Sequence, residues 1–412
     1  MTTTVPAQTD DLARSQAQRR VLTVLVAAQI LSGAGLAAGV TVGALLAQDM
    51  LGSTGLAGLL SALSTAGSAL AAIAVGRVSQ ARGRRPGLAA GYLAGAIGSA
   101  GVIAAAVAGN AVLLFVAMFV YGAGAATNLL ARYAGADLAA PEYRARAVST
   151  VLVATTLGGV AGPNLAAPAG DLAHALGIPR LAGLFLVSGA AYATAALVLA
   201  VWLRPDPLLL ARALETERAA GPLAPAAGRR RSGVLVGALV MMLTQLVMVA
   251  IMTMTPVHMH DHGHGAAASG LVIAIHIGAM YLPAPLSGWL VDRFGRLTVA
   301  TAAALVLLAS GILAATAPGG STAAFAVALA LLGVGWSLGL VSGTAIITDA
   351  VPPATRARTQ GVVDVSIAIA GATGGLASGL IVSAAGYPLL AAGGGIAALA
   401  IVPTVVAATR KR

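Results

Sequence analysis

Gly288-Trp289-Leu290-Val291-Asp292-Arg293-Phe294-Gly295-Arg296 is a short polar stretch between two long apolar ones, and Gly76 to Arg85 is a degenerate copy of it in the first half of the chain. A shift of 212 residues superimposes Gly76 on Gly288, Gly83 on Gly295 and Arg84 on Arg296. The same shift superimposes Asp137 on Asp349, Pro141 on Pro353, Arg144 on Arg356 and Arg146 on Arg358. Seven glycine, proline and charged matches at one offset are hard to attribute to composition, as alanine matches would be. The chain reads as two parallel repeats.

Each repeat is built for lipid. Of the 412 residues, 58% are hydrophobic and only 9% charged, against about 25% charged in soluble domains. Mean hydropathy is +0.91. The apolar content is Ala, Leu, Val and Ile with 52 glycines, which suits closely packed membrane helices and not an outer-membrane barrel. Twelve stretches of about 20 residues can span a bilayer, near 21–47, 55–76, 87–108, 111–132, 147–170, 181–203, 233–258, 267–290, 297–317, 322–348, 360–384 and 389–408. The fold class is therefore an all-α membrane protein with twelve helices in two six-helix bundles, 21–203 and 233–408. A tail (1–20), a linker (204–232, with a short amphipathic helix over Leu208 to Arg218) and a second tail (409–412) complete it. Arginines cluster on alternate loops and at the ends, and the opposite loops hold only Arg180, which puts both termini in the cytoplasm of a bacterial inner membrane.

Several functions are excluded at this level. The +11 net charge is distributed as topology anchors, not as a nucleic-acid face. Lys411 is the only lysine, so a Walker A motif is impossible, and no cysteine is present for a disulfide or thiolate. No catalytic constellation appears, so an enzyme is not expected. Val21 to Ala47, preceded by Asp10 and Asp11, reads as an uncleaved first span.

The 288–296 stretch and its copy resemble the loop signature of the major facilitator superfamily, with Gln80 and Ala81 where Asp and Arg usually stand. The resemblance implies a secondary transporter working by alternating access. It also implies a cytoplasmic gate made of Gly83, Arg84, Asp137, Arg144, Gly288, Asp292, Arg293, Gly295, Arg296, Asp349 and Arg356. The alternative is that these charges only fix topology.

Subtracting one repeat from the other isolates the features of one half. The first half shows nothing comparable to the second, where seven of the ten methionines and five of the six histidines lie between Met241 and Met280. Met248 and Met252 are four apart on span 7, and His276 and Met280 four apart on span 8. Counted from the outer ends, both pairs lie on the order of 15 Å deep. Thioether and imidazole groups suit soft or borderline metals such as copper. The bland alternative is packing for the methionines, with the histidine a proton carrier or interhelical hydrogen-bond donor. Together the two pairs, with 28 residues between Met248 and His276, resemble those of the CcoA-like (CalT) copper transporters. That resemblance implies that Met248, Met252, His276 and Met280 ligate copper as a transported substrate carried inward, with no resident cofactor.

Three further features stay open. His258, His260, His262 and His264 form an outer loop that either collects metal or simply titrates. Asp364, one turn into span 11, either couples transport to protons or sits at a helix N-terminus near Arg356 and Arg358. Gly158-Gly159-Val160-Ala161-Gly162-Pro163 weakly resembles the motif of drug antiporters, but Ala166 and Ala167 replace a Gly-Gly pair and Met118 stands in place of an arginine. A drug or small-organic-solute efflux transporter, a vitamin transporter and a metal receptor are the competing functions. Besides the lipid bilayer and its substrate no partner is expected, and the chain is expected to be monomeric.

Overall fold

The computed structural model describes residues 5–41, 46, 49–50, 54–219 and 231–409, and among these residues no strand occurs. Among the described residues, eleven helical stretches are long and apolar enough to cross a membrane. The last of them, Arg356–Ala407, has 52 residues, about 78 Å of helix against a hydrocarbon core of about 30 Å. It is interrupted at Gly386 (φ 82°, ψ 165°), two residues before Pro388, so it supplies two crossings and the total is twelve.

The first repeat contains α1 (Val5–Thr41), α2 (Thr54–Arg82), α3 (Arg84–Ala108), α4 (Ala111–Ala136), α5 (Arg144–Asn164), α6 (Ala166–Ala175) and α7 (Gly183–Trp202). After α8 (Pro207–Ala219), the second contains α9 (Arg231–Asp261), α10 (Ala266–Tyr281), α11 (Ala284–Phe294), α12 (Arg296–Thr316), α13 (Thr322–Ala350), α14 (Arg356–Ala398, bent at Gly386) and α15 (Ile401–Thr409). Two expected single spans are broken. The stretch 147–170 divides at Leu165, and 267–290 divides at Pro283. Prolines near each break lack the N–H that a continuous helix needs.

The chain packs as two compact units that exchange segments. Unit 1 comprises 1–140, 150–228 and 352–365; unit 2 comprises 141–149, 229–351 and 366–412. Unit 1 is centred on α4, against which α2 and α3 pack, and unit 2 on α13, against which α9, α10 and α12 pack. The opening turns of α5 thus belong with the second repeat, and those of α14 with the first.

Residues 1–20 were expected as a tail, but α1 already runs from Val5. Arg14 donates to the Leu138 carbonyl (3.0 Å) and Gln18 to that of Gly135 (2.7 Å). The linker contains α8 over the expected stretch, whereas its 220–230 portion, and residues 1–4 and 410–412 of the tails, lie outside the described residues. Asp206 accepts from the amide of Arg85 (2.8 Å) and from those of Leu208 and Leu209, capping α3 and α8 together.

Candidate substrate site and charge clusters

The repeated loops place their glycines where backbones meet. Gly83 and Gly295 adopt φ of +99° and +94° just before α3 and α12, a region that disfavours a side chain. In unit 2, a Cβ on Gly288 would overlap the Ala145 carbonyl and Ser149; in unit 1, one on Gly76 would crowd Ala357 and Gly361. These two contacts are images of each other under the 212-residue shift.

Asp292 accepts from the amides of Ala145 (3.1 Å) and Arg146 (3.0 Å), two orphan donors at the start of α5. Gln80, its equivalent, accepts from the amide of Arg358 (3.2 Å) at the start of α14 and donates to the Ala354 carbonyl (2.5 Å). The residue that departs from the family signature therefore makes the same cap without a charge.

In unit 1, Arg84 binds Asp137 at 2.8 Å and Gln360 at 2.5 Å, with Arg356 also 3.5 Å from Asp137. In unit 2, Asp349 bridges Arg144 and Arg296. Of the expected gate set, Arg293 alone is exposed with no ion pair among the described residues. Asp364 is not where the sequence suggested. The helix starts at Arg356, so Asp364 is two turns in and beyond the reach of the N-terminal dipole. Arg356 is engaged by Asp137 and the Arg358 side chain is exposed; the partners of Asp364 are Arg132 (2.8 and 3.1 Å) and Tyr133 (2.9 Å).

All four expected metal ligands lie in unit 2. The contacts of α9 with α13 run antiparallel: Met241 meets Gly343 and Thr344, Thr244 meets Gly339, and Gln245 accepts from the Trp336 indole at 2.8 Å. One more turn of that register brings buried Met248 level with the turn around Gly333. From the other side, α10 runs parallel to α13, with the His276 carbonyl and Met280 amide against Gly333. His276 is fully buried, and its Nδ1–H donates to the Leu329 carbonyl at 2.8 Å. A carbonyl only accepts, so the proton is on Nδ1 and Nε2 carries a lone pair; that atom is buried with no hydrogen-bond partner among the described residues. Met280 is buried and Met252 half-buried.

The outer histidines separate. His262 donates from Nδ1 to the His258 carbonyl (2.8 Å), and the two rings lie 4.2 Å apart. His258 stacks on Tyr387. His264 is bound at both nitrogens, to the Gly319 carbonyl and to Thr322, and His260 points outward. Among the described residues no three His, Cys, Asp or Glu are grouped as metal ligands.

The description of the Major Facilitator Superfamily matches residues 24–338 and again 238–412. The chain belongs to that superfamily. It is 54% identical over 393 residues to the uncharacterized MFS-type transporter YdeG of Bacillus subtilis (strain 168), covering 94% of this chain and 91% of that one. It is 30% identical over 356 residues to the riboflavin transporter RfnT of Brucella anthropi, covering 84% and 85%. Among solved structures it is similar to the human organic anion transporter MFSD10, with a TM-score of 0.76, 17% identity and coverage of 94% and 99%. This major facilitator is accordingly a multi-pass membrane transporter and not an enzyme.

Two polar clusters of this major facilitator escaped the sequence reading. In unit 1, Gln29 donates to Thr155 (3.0 Å) and the Asn128 carbonyl (3.1 Å), Tyr92 donates to Gln29 (2.5 Å), and Asn128 donates to Ser32 (2.7 Å). In unit 2, Trp336 is bound by Gln245 and faces the edge of Tyr281 at 5.5 Å, one turn from the Gly333 level. The available signal was a mid-span amide or indole, whose polar atoms need partners in an apolar span.

Proposed function

We propose that this transporter carries copper inward across a bacterial inner membrane, both termini cytoplasmic, with the cation passing between Met248, Met252, His276 and Met280. The observation that carries this reading is His276 Nε2. It is a buried lone pair, oriented by a backbone carbonyl at Nδ1 as metal-binding imidazoles are, on the stretch of α10 that meets α13 at Gly333. Thioethers and a neutral imidazole bind a soft cation without a permanent charge and exchange it readily. His258 and His262 would receive the metal first, and the Arg/Asp clusters at the starts of α5 and α14 would serve as the gate.

A second reading is favoured by the Trp336–Gln245–Tyr281 cluster and by the relative named as a riboflavin transporter: a flat organic solute, held by rings and one amide, moving in either direction. Total cell copper, measured by mass spectrometry in a host lacking its own importer, separates the two. The wild-type chain should raise copper and His276→Ala, at matched membrane levels, should return it to the vector level. Losing a ligand should cost at least the about 10–100-fold in affinity that loss of an outer-shell partner costs. A fall in copper would reverse the direction. Unchanged copper in both strains would remove the metal reading and leave the organic solute.

A further inference from the structure

The end of α9 and the loop after it carry four histidines at alternate positions, His258, His260, His262 and His264. At the 212-residue shift they fall on Leu46, Gln48, Met50 and Gly52, so they are not part of the shared scaffold. The partners of these rings all lie within unit 2.

The backbone of this turn is fixed before any ring is placed. α9 ends at Asp261, and Gly263 takes a φ of +84° just beyond it. The Gly263 amide donates to the His260 carbonyl (2.9 Å) and the His264 amide to the Met259 carbonyl (3.0 Å), the paired closure of a glycine-capped helix end. That closure holds His262 one turn after His258, on the same face. His264 then pins the loop through both ring nitrogens, to the Gly319 carbonyl and to Thr322.

The rings of His258 and His262 consequently lie 4.2 Å apart, within the reach of two metal–nitrogen bonds of about 2.0–2.1 Å each. The His262 Nδ1–H donates to the His258 carbonyl (2.8 Å), which leaves a lone pair on Nε2. A Cβ on Gly319 would lie 2.9 Å from that nitrogen and 2.2 Å from Cδ2, so glycine at 319 makes room for this edge of the ring. The His258 ring stacks on Tyr387 at 4.4 Å, and Tyr387 is itself fixed by a 2.8 Å hydrogen bond with Thr255. Stacking takes a face of the imidazole, whereas its nitrogen lone pair lies in the ring plane.

We propose that His258 and His262 form a two-imidazole chelate for a borderline divalent cation, Zn(II) or Cu(II). Two histidines four apart on one helix face are a recurrent zinc-binding arrangement, and neutral imidazoles suit such cations where thioethers select Cu(I). The carbonyl at His262 Nδ1 sets the tautomer that a metal ligand needs. Among the described residues no third His, Cys, Asp or Glu joins the pair, so water completes the coordination. His262 is exposed and His258 half-buried, which opens the site to solvent. Such a site exchanges its ion, unlike a closed structural site with four protein ligands. The assignment builds on the capture role proposed for this pair, and as a binding site it stands whether or not copper crosses the membrane.

The test uses the full-length chain in lipid nanodiscs, purified without a polyhistidine tag. Zinc chloride is titrated by calorimetry, and the protein loaded with copper(II) sulfate is read by pulsed electron paramagnetic resonance. The wild type should bind Zn(II), and its Cu(II) spectrum should show coupling to two imidazoles. His262→Ala should lower the Zn(II) affinity by about tenfold or more and leave one imidazole on Cu(II). His258→Ala should do the same, whereas His260→Ala, whose side chain is exposed, should match the wild type. Absence of Zn(II) binding, a single imidazole in the wild-type spectrum, or an equal loss in His260→Ala and His262→Ala would overturn the assignment. Flat cell copper beside an intact titration removes only the span reading; a failed titration beside copper uptake removes only the chelate.

Discussion

Arg132→Leu is expected to destabilise the folded protein by about 3–5 kcal/mol, because it removes one partner of a buried pair and leaves Asp364 without its two guanidinium hydrogen bonds. Arg132→Leu combined with Asp364→Leu should recover most of that loss, since an apolar pair of similar volume carries no desolvation penalty. Thermal unfolding of detergent-purified variants, followed by intrinsic fluorescence, would show a large drop for the single variant and a small one for the double. Additive losses would mean that the two side chains do not act as a pair. Arg180–Asp171 provides the contrast. Their side chains are 65% and 68% exposed, so removing either should cost about 0–1 kcal/mol.

Gly158→Ala and Gly159→Ala should behave as opposites although the residues are neighbours. A Cβ at Gly158 would overlap the Ile30 carbonyl oxygen and crowd Ala34 and Gly33, all backbone of α1, which cannot rotate away. A Cβ at Gly159 meets nothing within 4 Å. Overpacking of this kind costs about 1–3 kcal/mol, and more where only backbone can give. Gly158→Ala should therefore lower the yield of monodisperse protein and its melting temperature, while Gly159→Ala leaves both unchanged. Equal effects would indicate that the close approach of α5 to α1 at Gly158 does not set the stability of the fold.

The twelve crossings and the repeat were legible because each rests on a local pattern: about 20 apolar residues, then an arginine-bearing loop. The helix breaks at Leu165 and Pro283 were less so, since either side of each remains apolar. Asp364 shows the harder limit. Its position in an apolar stretch marked it for attention, but its partner is 232 residues away and no local signal joins Arg132 to it. Comparing the repeats would have found the pair, because Arg132 falls on Thr344 and Asp364 on Leu152. His276 was legible as a buried imidazole, but only the structure fixes its tautomer and shows which nitrogen is free.

The exchange of segments between the two units has a consequence for how the chain is made. Unit 1 begins with spans that are translated early in the described chain, yet it is not complete until 352–365 arrive. At about 5–20 residues per second, the 232 residues between Arg132 and Asp364 take about 10–50 s to synthesise. Throughout that interval the arginine sits near the end of an inserted helix without the Asp364 carboxylate, held by the Leu129 carbonyl and Tyr133, and its long side chain can reach toward the lipid headgroups. The first repeat is thus held in the bilayer as an unfinished body, and it closes only when the opening turns of α14 have been translated.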